Sequence, residues 1–159
     1  MTEPTAMRAS TKVSRIIQAP RRITYHAFLD PDTLASWRAP ENMKASVHVF
    51  DAREGGSYRM SLTYTDSEHS LVGKSSPHTD TFQGRFIELV PYEKIVELIE
   101  FESRDPRFAG EMKMTTTFAD TEKGTEVTVL CENIPSGIRA EDNELGCRSS
   151  LHNLARLVE

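Results

Sequence analysis

One carboxylate in the sequence has the surroundings that acid–base chemistry requires. Glu97 lies at the same strand parity as Ile95 and Ile99, so all three side chains are expected on one apolar face. Burial among apolar side chains can bring the pKa of a carboxyl group near neutral, and such a pKa suits a general acid or base. Arg85 is a candidate partner for Glu97, although a surface ion pair is the alternative for this arginine. An enzyme built from this chain would therefore depend on Glu97.

Two phenols could orient a bound polar group. Tyr58 and Tyr64 share one strand face with Met60 and Leu62, while the residues between them are polar, which is the pattern of a half-buried strand. A buried phenol needs a hydrogen-bond partner, and either a ligand or the protein itself could supply it. Methionine fills gaps in a core and also adapts to varied apolar ligands. The pattern is thus typical of a cavity wall or of a packed core.

The sequence contains no motif for several other kinds of chemistry. It has no GxSxG elbow, phosphate-binding glycine loop, dinucleotide fingerprint or HExxH motif. Cys131 and Cys147 lie in different elements, without the close spacing of a zinc motif or a disulfide framework. The histidines also lack metal-ligand spacing; they are His26, His48, His69, His78 and His152. We therefore predict reduced cysteines, no metal and no cofactor.

Length and charge limit the class of protein. The 159 residues match one domain, and 19 basic against 24 acidic residues give a net charge of −5. This charge favours solubility but offers no basic stripe for phosphates, so nucleic acid is not expected as a partner. No run approaches the roughly 20 apolar residues of a membrane helix, and the first residues do not form a signal peptide. We expect a cytoplasmic protein without membrane insertion.

Periodicity divides the chain into a disordered tail, residues 1–11, and one domain, residues 12–159. A β-favouring run predicts a strand over 13–19, and two short helices follow, over 21–29 and from 31 to before Pro40. Short links join six further runs of period two, which predicts an antiparallel meander. These runs are 43–51, 58–64, 81–90, 95–101, 112–118 and 126–134. A final helix is predicted over 140–159, with Cys147, Leu151, Leu154 and Val158 on one face. The predicted fold class is α+β, with a curved antiparallel sheet of about seven strands around a long C-terminal helix.

Glycine and small polar residues mark the turns and one long link. The link over 65–80 is rich in Ser and also holds Gly and Pro, which predicts a mobile loop, and we interpret it as a lid. His69 and His78 lie in this link and would contribute to gating only on meeting a carboxylate or a ligand. Gly55-Gly56 predicts a turn with positive φ. Gly146 predicts a close approach of the last helix to the sheet, or a slight bend.

Five short motifs occur in an order that resembles a known superfamily. They are residues 27–31 (AFLDP) with Leu34 and Trp37, residues 53–59 (REGGSYR), residues 84–91 (GRFIELVP), residues 124–128 (GTEVT), and Gly146 with Leu151, Leu154 and Leu157. With the order of elements, they resemble the helix-grip fold of the START-like (SRPBCC) superfamily, in the branch named after the C-terminal domain of the activator of Hsp90 ATPase. The resemblance covers residues 12–159 and implies a cavity for a lipid-like or aromatic small molecule.

Two features depart from that branch. Cys147 stands where the family often has a tryptophan, directly after the glycine of the last helix, and this predicts a larger or differently shaped cavity. The co-chaperones of the branch carry a separate N-terminal domain that grips the chaperone, whereas only about 11 residues precede the first predicted strand here. We therefore do not expect an Hsp90-type chaperone as a partner.

We predict a non-catalytic protein that binds a small hydrophobic molecule between the sheet and the C-terminal helix. The predicted lining residues are those expected on the inner faces of the elements: Trp37, Tyr58, Met60, Leu62, Tyr64, Phe86, Glu97, Ile99, Phe101, Met112, Met114, Cys147 and Leu151. Two alternatives remain, an enzyme of the polyketide cyclase or hydratase kind and a stress or co-chaperone-like interaction module with a filled core. Open sheet edges also make a homodimer possible.

Overall fold

The computed structural model describes residues 8–40, 43–65 and 79–159. The elements in chain order are β1 (Thr11–Ile17), α1 (Arg21–Leu29), α2 (Pro31–Trp37), β2 (Met43–Phe50), β3 (Ser57–Tyr64), β4 (Thr79–Val90), β5 (Lys94–Phe101), β6 (Glu111–Thr121), β7 (Gly124–Glu132) and α3 (Ala140–Val158), with a short 3-10 helix at Pro106–Phe108 between β5 and β6. The predicted order of elements is confirmed. The proposed lid, with His69 and His78, falls outside the described residues except at its two ends.

The seven strands form one antiparallel sheet in the order β1-β7-β6-β5-β4-β3-β2. Each strand from β2 to β6 pairs with the next one along the chain, as expected for an antiparallel meander. β1 completes the sheet by pairing with β7, where Val13 lies opposite Val129. The sheet curls into a half-barrel with the helices packed on it, so the predicted α+β helix-grip architecture is confirmed.

The start of the described chain is attached to the domain. β1 begins at Thr11, earlier than the predicted Val13. The backbone carbonyl of Ala9 accepts a hydrogen bond from the Ile134 amide at 3.1 Å, and the Arg8 guanidinium donates to the Ala109 carbonyl at 2.8 Å. Residues 8–11 of the predicted tail therefore pack against the domain.

Asp30 caps both short helices where they join. It ends α1, and its side chain accepts a hydrogen bond from the Asp32 amide at 3.2 Å and from the Thr33 hydroxyl at 2.9 Å at the start of α2. Pro31 occupies the first turn of α2, where its missing N–H is not needed. Trp37 then buries its ring against α1 and donates from Nε1 to the Ala27 carbonyl at 2.9 Å. The two helices thus form one fixed unit.

α3 holds the end of α2 in place. Its buried residues include Ser150, whose hydroxyl donates to the Arg38 carbonyl at 2.7 Å. Asn153 donates to the Ala39 carbonyl at 2.9 Å. These bonds satisfy carbonyls that the end of a helix leaves without intrahelical partners. The position of Arg38 is therefore fixed by α3. Within the described residues, no helix combines the length and apolarity needed to span a membrane.

The structure refines the interpretation of three glycines. Gly55 has a φ of +81°, as predicted for the turn, whereas Gly56 is required for space, since a Cβ there would lie 2.9 Å from the Arg53 carbonyl oxygen. The prediction for Gly146 is wrong as regards close approach. Among the described residues, a Cβ at this position would meet only the Pro40 side chain, at the ordinary contact distance of 3.8 Å.

Candidate ligand-binding site

A small cavity of about 20 Å³ lies between the inner face of the sheet and the two short helices. Seven of its ten lining residues are apolar, and the other three are Arg38, Tyr58 and Glu97. The apolar ones are Phe28, Leu34, Phe50, Met60, Phe86, Ile95 and Met114. None of the ten belongs to α3, whereas the sequence predicted a cavity against that helix. The cavity has room for about one water molecule, so its walls are nearly in contact.

Glu97 and Tyr58 form a buried hydrogen-bonded pair in this wall. The Tyr58 hydroxyl donates to Glu97 Oε1 at 2.6 Å, and both residues are buried. Burial raises the pKa of Glu97 above its usual range, while the Tyr58 hydrogen bond and the charge of Arg38 act in the opposite direction. Burial and the neighbouring Glu97 raise the pKa of Tyr58 well above its usual value. Burial therefore disfavours the charged form of both groups.

Gly84 makes room for the Tyr58 ring. The two residues lie opposite each other on β4 and β3, and a Cβ at Gly84 would stand 2.0 Å from Cζ of Tyr58. The ring thus crosses directly over the glycine to reach Glu97 on β5. Phe86 lies beside it, with the two ring centroids 5.3 Å apart. A strand glycine often marks such a close approach, and here the approach brings the Tyr58 hydroxyl to Glu97.

Arg38 brings a cationic group to the same wall. It directly follows α2, is partly buried and lines the cavity, with its guanidinium 5.8 Å from the centroid of the Phe82 ring. Its charge acts on both Glu97 and Tyr58, although within the described ranges no carboxylate forms an ion pair with it. The planar guanidinium fork suits a carboxylate or carbonyl oxygen.

The hydroxyl of Thr116 adds a further polar group on the inner face of the sheet. Thr116 is fully buried opposite Ile95, and its hydroxyl has no hydrogen-bond partner among the described residues. An unsatisfied buried hydroxyl costs about 1–3 kcal/mol. This part of the sheet therefore retains unused hydrogen-bonding capacity.

The structure brings five of the residues predicted from sequence to the cavity and places the others elsewhere. The five are Tyr58, Met60, Phe86, Glu97 and Met114. Trp37, Leu62, Ile99, Met112 and Leu151 are buried in the core away from the cavity, and Tyr64, Phe101 and Cys147 are partly buried outside it. Sequence reasoning did not assign Phe28, Leu34, Arg38, Phe50 or Ile95 to the site. The helical spacing of Phe28 and the strand parity of Ile95 were available signals, whereas no pattern indicates Arg38.

Arg85 is not the partner of Glu97. Its strand parity directs it to the outer face of the sheet, where the guanidinium is exposed and lies 3.6 Å from Glu111. The alternative of a surface ion pair is therefore correct, and Arg38 is the cation that acts on Glu97. Within the described residues, no cluster of three or more His, Cys, Asp or Glu side chains could hold a metal ion.

A half-barrel sheet with a helix pair over its inner face and a closing helix defines a protein of the START-like helix-grip class. The chain belongs to the family of activator of Hsp90 ATPase homolog 1-like proteins, since the family model matches residues 18–159. No protein of curated function matches it.

Solved structures of several bacterial proteins are similar to this chain. A protein from Chromobacterium violaceum is 36% identical, with a TM-score of 0.84 over 94% of this chain and 96% of that one. An AHSA1-like protein from Aeromonas hydrophila is 18% identical, with a TM-score of 0.71 over 94% and 92% of the two chains. A protein of the dynemicin biosynthetic locus is 19% identical, with a TM-score of 0.64 over 92% of this chain and 46% of that one. The similarity to the Aeromonas hydrophila and dynemicin-locus proteins shows a shared fold and nothing more.

Proposed function

We propose that this protein binds a small, largely apolar molecule that carries one polar end, and that it does so without catalysis. The observation that carries the proposal is the composition of the cavity wall, in which seven apolar side chains surround Arg38, Tyr58 and Glu97. Ligand sites are typically apolar with a few convergent polar groups that fix orientation. Because the cysteines are free thiols, which is the usual state in the cytoplasm, we place this function there.

Entry of a ligand larger than a water molecule requires the cavity to widen. Met60, Met114 and Arg38 have long unbranched side chains, which can change rotamer at small cost. The helix pair covers the cavity from one side through Phe28 and Leu34. A bound ligand would therefore displace flexible side chains first, and the sheet would keep its register.

The polar groups of the wall favour an oxygen acceptor on the ligand. A protonated Glu97 keeps one O–H donor while its other oxygen accepts the Tyr58 hydroxyl, and Arg38 offers up to five N–H donors. A carboxylate or a carbonyl would satisfy both residues, whereas an ammonium group would face Arg38 with a like charge. An aromatic carboxylic acid is therefore a suitable first probe.

Backbone NMR spectra during titration with 2-naphthoic acid test this proposal. We expect the largest shift changes at the amides of Phe50, Tyr58, Phe86 and Glu97. Arg38→Gln removes the charged donors and should weaken binding about tenfold or more. Arg85→Gln removes a matched exposed arginine from the outer face and should leave binding unchanged. Shifts absent from the cavity, or equal effects of the two variants, would contradict the proposal.

A second function, acid–base catalysis, is favoured by the raised pKa of Glu97. A carboxyl group whose pKa is raised holds its proton to a higher pH than a free carboxyl group does. It can donate that proton to a substrate carbonyl, as an enzyme of the cyclase or hydratase kind would require. Glu97→Gln distinguishes the two functions, because it preserves shape and the bond from Tyr58 but cannot exchange the proton. A binding protein would retain ligand affinity, and an enzyme would lose turnover with little change in affinity.

A further inference from the structure

The two cysteines, 16 positions apart in sequence, lie in neighbouring parts of the fold, where α3 packs on the edge strand β1 next to β7. Cys131 lies on β7, fully buried, and its thiol interacts with that of Cys147 on α3, which is partly exposed. The chain contains only these two cysteines, and both are free thiols. The fold therefore creates a dithiol that sequence spacing did not indicate.

Asn143 on α3 links the helix that carries Cys147 to β1, the strand next to the one that carries Cys131. Thr11 is the cross-strand neighbour of Cys131, and its hydroxyl donates to Asn143 Oδ1 at 2.5 Å. Asn143 lies one turn before Cys147 on α3, and the same oxygen is 4.0 Å from Cys147 Sγ. Because Asn143 contacts both Thr11 and Cys147, this turn of α3 packs on β1 beside the position of Cys131. These contacts bring Cys147 to the face of the sheet that carries Thr11 and Cys131.

The surroundings of the two thiols differ, and they make Cys147 the nucleophile and Cys131 the proton donor. A hydrogen bond from the Cys131 thiol lowers the pKa of Cys147 to about 7, against the effect of its burial. The same bond raises the pKa of Cys131, and burial adds to this. Three charged or titratable groups act on Cys147: Arg38, Glu144 and Cys131. The positive charge of Arg38, which follows α2, stabilises the Cys147 thiolate. The negative charge of Glu144 on α3 destabilises it, and Cys131 on β7 is the hydrogen-bond partner. The thiolate is the reactive form of cysteine.

We propose that Cys131 and Cys147 form an oxidisable dithiol site whose substrate is a hydroperoxide. The Cys147 thiolate attacks one peroxide oxygen, the O–O bond breaks, and Cys147 becomes a sulfenic acid while hydroxide or alkoxide leaves. The Cys131 sulfur then attacks the sulfenic sulfur, and the S–O bond breaks. Water leaves with the Cys131 proton, and a disulfide remains. The two cysteines lose two electrons and the peroxide gains them.

The disulfide would join α3 covalently to β7 beside the segment that fixes Arg38. α3 carries both Cys147 and Ser150, and Ser150 holds the Arg38 carbonyl. Oxidation therefore acts on the same helix that positions the cationic group of the cavity. This inference does not depend on the proposed ligand, because the dithiol exists whether or not the cavity binds a molecule.

Intact-mass measurement of the full-length protein after treatment with equimolar hydrogen peroxide tests the proposal. We expect the mass of two hydrogen atoms to be lost, both thiols to become unreactive toward an alkylating agent under denaturing conditions, and dithiothreitol to reverse the change. The product should remain a monomer on a non-reducing gel. The proposal would be overturned by any of three results. Both thiols could persist, oxygen atoms could be added while Cys131 stays free, or a cross-linked dimer could form.

Alkylation kinetics with iodoacetamide separate the roles of the two sulfurs. In the wild-type protein the rate should rise with a midpoint near pH 7. In Cys131→Ser the midpoint should move upward by about one pH unit or more, because the serine hydroxyl is a poorer stabiliser of the thiolate. Cys147→Ser should leave Cys131 unreactive in the folded protein. An unchanged midpoint in Cys131→Ser would contradict the assigned roles. Circular dichroism verifies that the variants fold, and the wild-type mass result stands without them.

Discussion

At the scale of single residues, Glu97 is the buried carboxyl group of the cavity wall. Its carboxyl group is buried, accepts the Tyr58 hydroxyl at 2.6 Å, and has a pKa raised by burial. An acid whose pKa is higher in the folded state than in the unfolded state stabilises the fold while it is protonated. Its contribution is complete below the unfolded pKa and declines as the pH rises toward the folded pKa. Glu97 therefore favours folding in acid more than at alkaline pH.

Glu97→Gln should flatten this pH dependence. The amide cannot ionise, and its oxygen still accepts the Tyr58 hydroxyl, so the variant should gain stability relative to wild type as the pH rises from 5 to 8. Urea denaturation at the two pH values measures this difference. Glu100→Gln, an exposed change on the same strand, serves as the control and should show no such trend. A variant that loses equal stability at both pH values would show that Glu97 is needed in its charged form.

Strand parity predicted part of the site at this scale. It correctly placed the Glu97 side chain on the inner face, since side chains alternate along a strand. It did not indicate Arg38, because this residue follows a helix and reaches the cavity only through the way α3 fixes the end of α2. The relation between Gly84 and Tyr58 also depends on the β3–β4 register, which a period of two does not define. Long-range contacts thus limited the prediction.

At the scale of elements, two glycines in regular structure have opposite roles. Gly84 in β4 is covered by the Tyr58 ring, and a Cβ there would stand 2.0 Å from the ring. At Gly146 in α3, the only described atom that a Cβ would contact is Pro40 Cγ, at the ordinary distance of 3.8 Å. The sheet therefore requires its glycine for packing, whereas the helix pays only the entropy of having one.

Alanine substitutions at these two positions should change stability in opposite directions. Gly84→Ala should cost about 1–3 kcal/mol by displacing Tyr58, and the near-ultraviolet circular dichroism of the tyrosines should change with it. Gly146→Ala should gain up to about 1 kcal/mol. Chemical denaturation measures both values. If Gly84→Ala proved neutral, the ring would not need the space over the glycine, and the proposed positioning of Tyr58 would be wrong.

The fold itself was predictable at the scale of elements. The six runs of period two and their short links were sufficient for the meander, and Asp30-Pro31 marked the junction between the short helices. The 3-10 helix at Pro106–Phe108 was missed, because three residues show no periodicity. Strand ends also shifted by up to three residues, as at Thr121 of β6, since pairing in the sheet and not propensity decides where a strand stops.

At the scale of the whole molecule, the curled sheet and the helix pair surround a space that side chains nearly fill. The cavity of about 20 Å³ lies against α1 and α2. α3 does not line the cavity, but its side chains form hydrogen bonds with the end of α2 and hold it in place. The central claim is that this space opens for one small, apolar molecule with a polar end. Flexible side chains in the wall, Met60, Met114 and Arg38, make such opening possible without a change of fold.

Native mass spectrometry of the protein purified from its own host tests this claim most directly, with a denaturing run to identify any released molecule. Our account predicts a mass above that of the bare chain by one small, largely apolar molecule with a carboxylate or carbonyl group, present in wild type and Arg85→Gln but depleted in Arg38→Gln. A mass equal to the bare chain for all three proteins, even when measured directly from a gently prepared lysate, would contradict it.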